Sequence, residues 1–264
     1  MNYLIGLKDM YLNRKKINNL EAMIMAAGRG KRMSYMTKFL AKPLIKINKY
    51  SMLETNIKKL ANSGINKIVV NSSYMHLCIN KSIKKIKYNT RLPKISITFE
   101  KKRLETGGGL KNAINKFKTS ELLVINGDSL LHYSEKFCPI QKLYSNFNNQ
   151  KMDVLLLLSK KKNTLGYDGN GDYKKMNYSF ASKLTRENSI LSSKYVFTGW
   201  QIINKNFVKD FSEKKFSLKK IYDIAEKKGR LYGVLHTGLF FHIGDPKSFN
   251  LIKNFINSKR VNLK

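Results

Sequence analysis

Between Gly28 and Arg32 the sequence reads Gly-Arg-Gly-Lys-Arg, two glycines interleaved with three cations. Glycine lets the main chain take positive φ and lets a ligand approach it closely. Successive amides in such a turn form a concavity for anions, and the planar fork of Arg32 suits phosphate. Taken alone, the turn reads equally as an ordinary solvated β–α loop. Two further stretches add chemistry. Leu104-Glu-Thr-Gly-Gly-Gly109 places three glycines in a row, leading into a short helix running through Phe117, and packing cannot justify them. They would let a flat ligand face lie on the main chain, with the helix N-terminus favouring negative charge; a flexible turn is the plain alternative. Asn126-Gly127-Asp128 puts a carboxylate just past an apolar run, where it would hold Mg²⁺ together with substrate phosphates. An aspartate after a strand is also a common turn former.

These residues need elements to position them. Ala22–Ala27 and Glu121–Asn126 are apolar runs of the length and composition of strands buried on both faces. Ser51-Met-Leu-Glu54 is a capping box, followed by Leu53, Ile57 and Leu60 at helical spacing, with Gly64 as the stop. Lys67–Ser72 then reads as a strand, closing a βαβ unit whose glycine turn lies at the carboxyl end of its first strand, the edge at which open parallel sheets bind ligands. Helices are expected over Met75–Ile86, Phe137–Phe147, Ser217–Lys228 and from Pro246 through Phe255. Strands are expected over Ile95–Glu100, Val154–Leu158, Tyr195–Ile203, Leu231–Leu235 and Leu239–Ile243, with a hairpin through Tyr178–Leu184. The polar tract Lys160–Asn170 reads as a surface loop over the site.

Composition bounds the class. The 264 residues suffice for one large α/β domain with a substantial core, and 42% of them are hydrophobic. Two cysteines, Cys78 and Cys138, give neither a disulfide framework nor metal-ligand spacing, which suits a reducing cytoplasm. No apolar stretch is long enough for a membrane span. The opening residues show a short apolar patch followed by charges, the wrong order for a secretory signal. Residues 1–21 read as a loosely attached helical extension or as a translation-start artefact, since Met23 could begin the domain. The net charge of +34 is spread along the chain, with Lys, Asn and Ile abundant together. That pattern favours a solvated surface over a dedicated nucleic-acid site, and an anionic substrate gains from the field either way.

Two common phosphate motifs are absent: no G-x-x-x-x-G-K-[ST] string occurs, and Met33 stands where G-x-G-x-x-G needs its last glycine. The longer pattern is informative. Ala26, Ala27, Gly28, Gly30, Arg32, Met33, Thr37, Lys42, Pro43 and Leu44 match L-A-A-G-x-G-x-R-M-x-P-x-T-x-x-x-P-K-P-L, so this segment resembles the signature of sugar-1-phosphate nucleotidyltransferases. Tyr35 and Ala41 replace prolines, which alters loop stiffness rather than chemistry. Leu104–Gly109 and Gly171-Asp172-Tyr173 resemble the branch that uridylylates N-acetylmuramate 1-phosphate; guanylyl transfer to mannose 1-phosphate uses a similar signature.

The resemblance, spanning roughly residues 22–256, implies a Rossmann-like mixed, mostly parallel α/β sheet with helices on both faces, the nucleotide-diphospho-sugar transferase fold. It implies one domain over 22–260, with a nucleotide-binding half to about 130 and a sugar-binding half beyond. By that likeness Arg32, Lys42 and Asp128 are catalytic. Ala26, Ala27, Gly28, Gly30, Lys31, Arg32, Glu105, Gly107 and Gly108 bind the nucleotide, and Asn126, Asp172, Thr198 and Gly199 face the sugar. For Thr198-Gly199 a packing glycine beside Trp200 is the alternative. Asp128 is the expected Mg²⁺ ligand. His242 stands where the family places a second aspartate, open to metal ligation, a water-mediated or phosphate contact, or a structural role, and Asp245 reads as the N-cap of the last helix. The implied partners are an NTP, with UTP favoured, and a sugar 1-phosphate. A catalytically weakened nucleotide-binding regulatory protein and a basic RNA- or membrane-associated protein are the rival readings. The sequence does not fix an oligomeric state.

Overall fold

A computed structural model describes residues 17, 20–87, 93–175, 181–185, 194–261 and 263. β1 (Glu21–Met25), β2 (Lys67–Ser72), β3 (Lys94–Phe99) and β4 (Glu121–Asn126) pair in parallel in the order β3-β2-β1-β4. β10 (Tyr195–Asn204) runs antiparallel between β4 and β6 (Val154–Lys160), and β11 (Leu231–Leu235) is parallel to β6. β9 (Ser182–Thr185) and β8 (Lys174–Lys175) complete a nine-stranded mixed sheet.

The central strands read as near-continuous apolar runs because both faces are covered. In β1, Ala22 and Ile24 face one core and Met23 the other; β4 divides Leu123 and Ile125 from Leu122 and Val124 in the same way. The first core takes α1 (Met52–Asn62), α2 (His76–Lys87) and α4 (Pro139–Asn146). The second takes α3 (Glu105–Ala113), α5 (Lys205–Lys209) and α6 (Leu218–Lys227). A second sheet of β5 (Ser129–His132), β12 (Leu239–His242) and β7 (Thr164–Leu165), in the order β5-β12-β7, packs with α7 (Pro246–Ser258) around a third cluster that includes Met33.

Local signals explain the element boundaries. Ser51 Oγ accepts from the Glu54 amide at the start of α1. Asp245 caps α7 through a reciprocal box with Ser248, as its sequence position suggests. Some boundaries differ from expectation. The helix expected over Phe137–Phe147 is split into a 3₁₀ turn at Glu135–Phe137 and α4, because Pro139 holds the preceding Cys138 extended. The tract Lys160–Asn170 is not wholly loop, since β7 pairs with β12 inside it. Of the hairpin expected through Tyr178–Leu184, β9 pairs antiparallel with β8, while 178–180 lie outside the described residues. Ile17 and Leu20, from the segment before β1, are buried in the first core.

Candidate active site

β1 is flanked by β2 on one side and β4 on the other, so the chain reverses its winding direction between β1 and β4. Open sheets leave a crevice at the carboxyl ends of strands at such a point. Here the crevice is a cavity of about 460 Å³, walled by the segment after β1 (Ala27 to Arg32), by Lys42 and Pro43, by Asn126 and Asp128 after β4, and by Glu105 and Thr106 at the start of α3. Asn71, Glu100, Arg103, Met25 and Gly244 complete the wall.

The glycine turn is shaped by its neighbours. Gly30 has φ +64°, and a Cβ there would lie 2.9 Å from the Lys42 Cβ, so both its conformation and the passage of Lys42 require glycine. Its carbonyl accepts from the Met33 amide and the Thr37 hydroxyl, fixing the turn's exit. Gly28 differs: a Cβ there would meet nothing within 4 Å, and the open space belongs to the cavity. Lys42 begins a 3₁₀ turn with Pro43 at its second position, and the buried side chain extends to Asp128, Nζ to Oδ2 2.7 Å. Asp128 is held by its own turn. The Gly127 amide donates to Met25 O at 2.9 Å, and Asn56 Nδ2 donates to Ser129 O at 3.1 Å. Five cations (Arg29, Lys31, Arg32, Lys42 and Arg103) share the cavity wall with three carboxylates, so the site carries net positive charge suited to a polyanion.

A buried polar chain forms the floor. Asn71 Oδ1 accepts from the Ala26 amide at 2.7 Å, Asn71 Nδ2 donates to Glu100 Oε1 at 2.7 Å, and Glu100 Oε2 accepts from the Leu104 amide at 3.2 Å. It ties together the ends of β1, β2 and β3 and the entry to α3. Sequence reasoning missed Asn71, Glu100 and Arg103; the one available signal was an asparagine directly after the apolar Ile68-Val69-Val70 of β2.

The expectation that packing cannot justify the glycine run is overturned. Gly107, Gly108 and Gly109 lie buried inside α3 rather than ahead of a helix. A Cβ on Gly107 would lie 2.2 Å from Phe216 Cε2, one on Gly108 2.4 Å from Lys214 O, and one on Gly109 2.5 Å from Glu100 Oε1. The amides of Gly107 and Gly108 donate to Phe216 O at 2.9 and 3.0 Å, so these helix N-terminal donors already have an acceptor. Glu105, at φ +64°, is the residue of this stretch that reaches the cavity, together with Thr106.

The residues expected beside a sugar divide. Asn126 lines the cavity, and Gly199, at φ +80°, leaves room for it: a Cβ there would lie 2.7 Å from Asn126 Nδ2. Thr198 is buried with its hydroxyl donating to Leu157 O at 2.8 Å, and its carbonyl accepts from the Ser129 hydroxyl, so its side chain serves the irregularity in β10 rather than the cavity wall. Asp172 Oδ2 accepts from the Phe197 amide at 2.8 Å. Ala26 is buried behind the turn. His242, at the end of β12, is half-buried, its ring edge-on to Tyr167 at 5.4 Å. Burial, with Lys42 and Arg32 nearby, pushes its pKa down against the opposing pull of Asp128 and Asp172, which favours neutral imidazole.

Comparison with known proteins agrees with this geometry. A family model described as nucleotidyl transferase matches residues 21–259. The chain is 27% identical over 229 residues to an N-acetylmuramate alpha-1-phosphate uridylyltransferase of Caulobacter vibrioides, covering 86% of this chain and 93% of the relative. It is 26% identical over 250 residues to a D-glycero-alpha-D-manno-heptose 1-phosphate guanylyltransferase of Aneurinibacillus thermoaerophilus, covering 87% and 95%. The crystal structure of HddC from Yersinia pseudotuberculosis complexed with GMP-PN shares the fold, with a TM-score of 0.71 at 21% identity over 89% of this chain and 99% of that one. With a mixed sheet reversing at β1 and a cationic cavity at that reversal, the chain belongs to the nucleotidyl transferase family and is a sugar-1-phosphate nucleotidyltransferase.

Proposed function

We propose that this enzyme transfers a uridylyl group from UTP to a sugar 1-phosphate in the cytoplasm, releasing pyrophosphate, with Mg²⁺ as its metal. The observation that carries the reading is the Lys42–Asp128 pair set against the glycine turn in one cationic cavity. A phosphate oxygen of the sugar 1-phosphate attacks the α-phosphorus in line, the bond to the β-phosphate oxygen breaks, and pyrophosphate leaves. No protein nucleophile is required, so the work is positioning and charge neutralisation. Gly28 and Gly30 admit the triphosphate to the main chain, and Arg32 and Lys31 absorb the charge that grows on the leaving pyrophosphate. Lys42 spans the phosphates between which the bond changes hands.

The donor set fits Mg²⁺. Among the described residues no three His, Cys, Asp or Glu side chains gather as a metal cage. Mg²⁺ takes one or two carboxylates and fills its octahedron with phosphate and water oxygens, so Asp128 would hold it while Lys42 turns to phosphate. When bound, the metal offsets phosphate charge and orients the two reactants. His242, held neutral beside Asp128, would approach the metal shell through water or contact a phosphate.

Uridylyl transfer draws support from Leu104–Gly109, from Gly171-Asp172-Tyr173 and from the Caulobacter relative. Guanylyl transfer is the second reading, favoured by the heptose 1-phosphate guanylyltransferases of A. thermoaerophilus and Campylobacter jejuni, each 26% identical to this chain. Pyrophosphate release measured with UTP, GTP, CTP and ATP against a panel of sugar 1-phosphates separates the two. Lys42→Ala and Asp128→Ala should each lower turnover by about 100- to 1,000-fold with the fold intact. Near-normal turnover in either variant refutes the roles given to that pair.

A further inference from the structure

Among the described residues seven large apolar side chains are exposed, and five of them, Tyr35, Phe39, Leu40, Leu77 and Phe99, are carried by three segments that meet at one rim of the molecule. Three contacts bring them together. The Tyr74 hydroxyl donates to the carbonyls of Thr37 and Lys38 at 2.9 and 3.2 Å, fastening the start of α2 to the segment that carries Tyr35, Phe39 and Leu40. The His76 ring lies 4.4 Å from that of Phe99 at the end of β3, and Leu40 and Cys78 share a groove of about 430 Å³. Phe39 and Leu77 are each 77% exposed and Tyr35 is 70% exposed. Apolar side chains scattered singly over a surface need no explanation, but a concentration of this kind marks an interaction site.

The chemistry around the rim narrows the partner. Lys46, Lys81 and Lys85 line the groove. The Lys38 ammonium stands 5.2 Å from the Phe39 ring, and the Arg29 guanidinium 5.6 Å from that of Tyr74. The nearby acids are committed: Glu54 pairs with Lys58 at 3.2 Å, and Glu100 is buried on Asn71. A second copy would set one cationic rim against another on chains of net charge +34, so self-association is opposed by like charge. A nucleic acid would use the lysines but would gain little from projecting leucines. Apolar and aromatic tips ringed by lysines match the boundary between lipid headgroups and acyl chains.

We propose that this rim docks on an anionic lipid bilayer surface, with Phe39 and Leu77 entering the acyl boundary and the lysines meeting headgroup phosphates. Docking is peripheral, since no helix among the described residues is long and apolar enough to cross a membrane. The inference is independent of which nucleotide the enzyme uses. Arg29 and Lys31 line both the substrate cavity and the outer side of the same segment, so docking places the cavity mouth beside the bilayer.

The test is co-sedimentation of the full chain with phosphatidylcholine vesicles and with mixed phosphatidylcholine–phosphatidylglycerol vesicles at physiological salt. The chain should pellet with the mixed vesicles and not with phosphatidylcholine alone. Phe39→Ser/Leu77→Ser and Lys81→Glu/Lys85→Glu should each lower its partition coefficient at least about tenfold. Both pairs are surface changes, so thermal melting and pyrophosphate release should match the parent and report that the variants are folded. Failure to pellet with the mixed vesicles overturns the proposal. So does pelleting unaffected by Phe39→Ser/Leu77→Ser, which would reduce the attraction to diffuse charge, as does binding to single-stranded RNA that needs Phe39 and Leu77 while vesicles leave the chain in solution.

Discussion

Gly108→Ala separates a glycine that packs from a glycine that faces a ligand. In an ordinary helix interior the change stabilises by about 1 kcal/mol, because alanine loses less backbone entropy. In α3 the added methyl would sit 2.4 Å from Lys214 O, far inside the roughly 3.5–4.0 Å at which such atoms rest, and 3.2 Å from Lys215 Cα, slightly inside it. These are backbone atoms, so no rotamer change relieves the overlap. The segment at 214–216 must move, and the two hydrogen bonds that the Gly107 and Gly108 amides donate to Phe216 O move with it. Overpacking costs about 1–3 kcal/mol, and the weakened bonds about 1 kcal/mol each. Set against the gain in propensity, the net loss should be about 2–4 kcal/mol in urea unfolding, with the denaturant slope unchanged. Gly107→Ala should lose about 2 kcal/mol, since its methyl would meet the buried Phe216 ring at 2.2 Å. Combined with Phe216→Ala, the pair should cost less than the sum of the singles by about 1–3 kcal/mol. Gly28→Ala is the contrast: its methyl enters open space, so stability should hold within about 0.5 kcal/mol while KM for the nucleotide rises. A Gly108→Ala enzyme as stable as the parent, with only KM raised, would refute the packing account and return the run to the ligand.

Three further outcomes follow from two buried polar groups and one helix cap. His236 is buried, and desolvation pushes its pKa down to about 4 from 6.5. The unfolded chain therefore binds the proton between those values, so stability is full above about pH 6.5 and falls as pH drops to about 4, by about 3 kcal/mol. His236→Gln should flatten that part of the stability profile measured by urea unfolding; an unchanged slope refutes the assignment. Asn71→Ala strips partners from the Ala26 amide and from the buried Glu100 carboxylate, and should lose about 2–4 kcal/mol while raising KM for the nucleotide. A loss below about 0.5 kcal/mol would show that the floor of the cavity does not depend on that chain. Asp245→Ala removes the α7 cap and should lower the melting midpoint by an amount equivalent to about 1 kcal/mol while leaving turnover near the parent value, whereas a collapse of turnover would make Asp245 part of the site.

What the sequence discloses depends on how far a residue stands from the groups that give it meaning. β1 and β4 are legible because strands covered on both faces need an unbroken apolar run, and Met23 and Val124 could not be polar between two cores. The glycine turn, Lys42 and Asp128 are legible because each carries its chemistry in a short string next to a strand end. Asn71, Glu100 and Arg103 meet only after β3, β2 and β1 are laid side by side, so each looks accidental in its own segment. Gly107 and Gly108 mislead for a different reason: glycine is chosen wherever something must come close, and the string does not say whether that is a ligand or the segment at 214–216. Gly109 joins the two cases. A Cβ there would lie 2.5 Å from Glu100 Oε1 and 2.7 Å from Asn71 Nδ2, the groups that hold the floor of the cavity. The run is packed against protein throughout, yet its last member keeps clear the chain that ties β1, with its glycine turn, to the rest of the site.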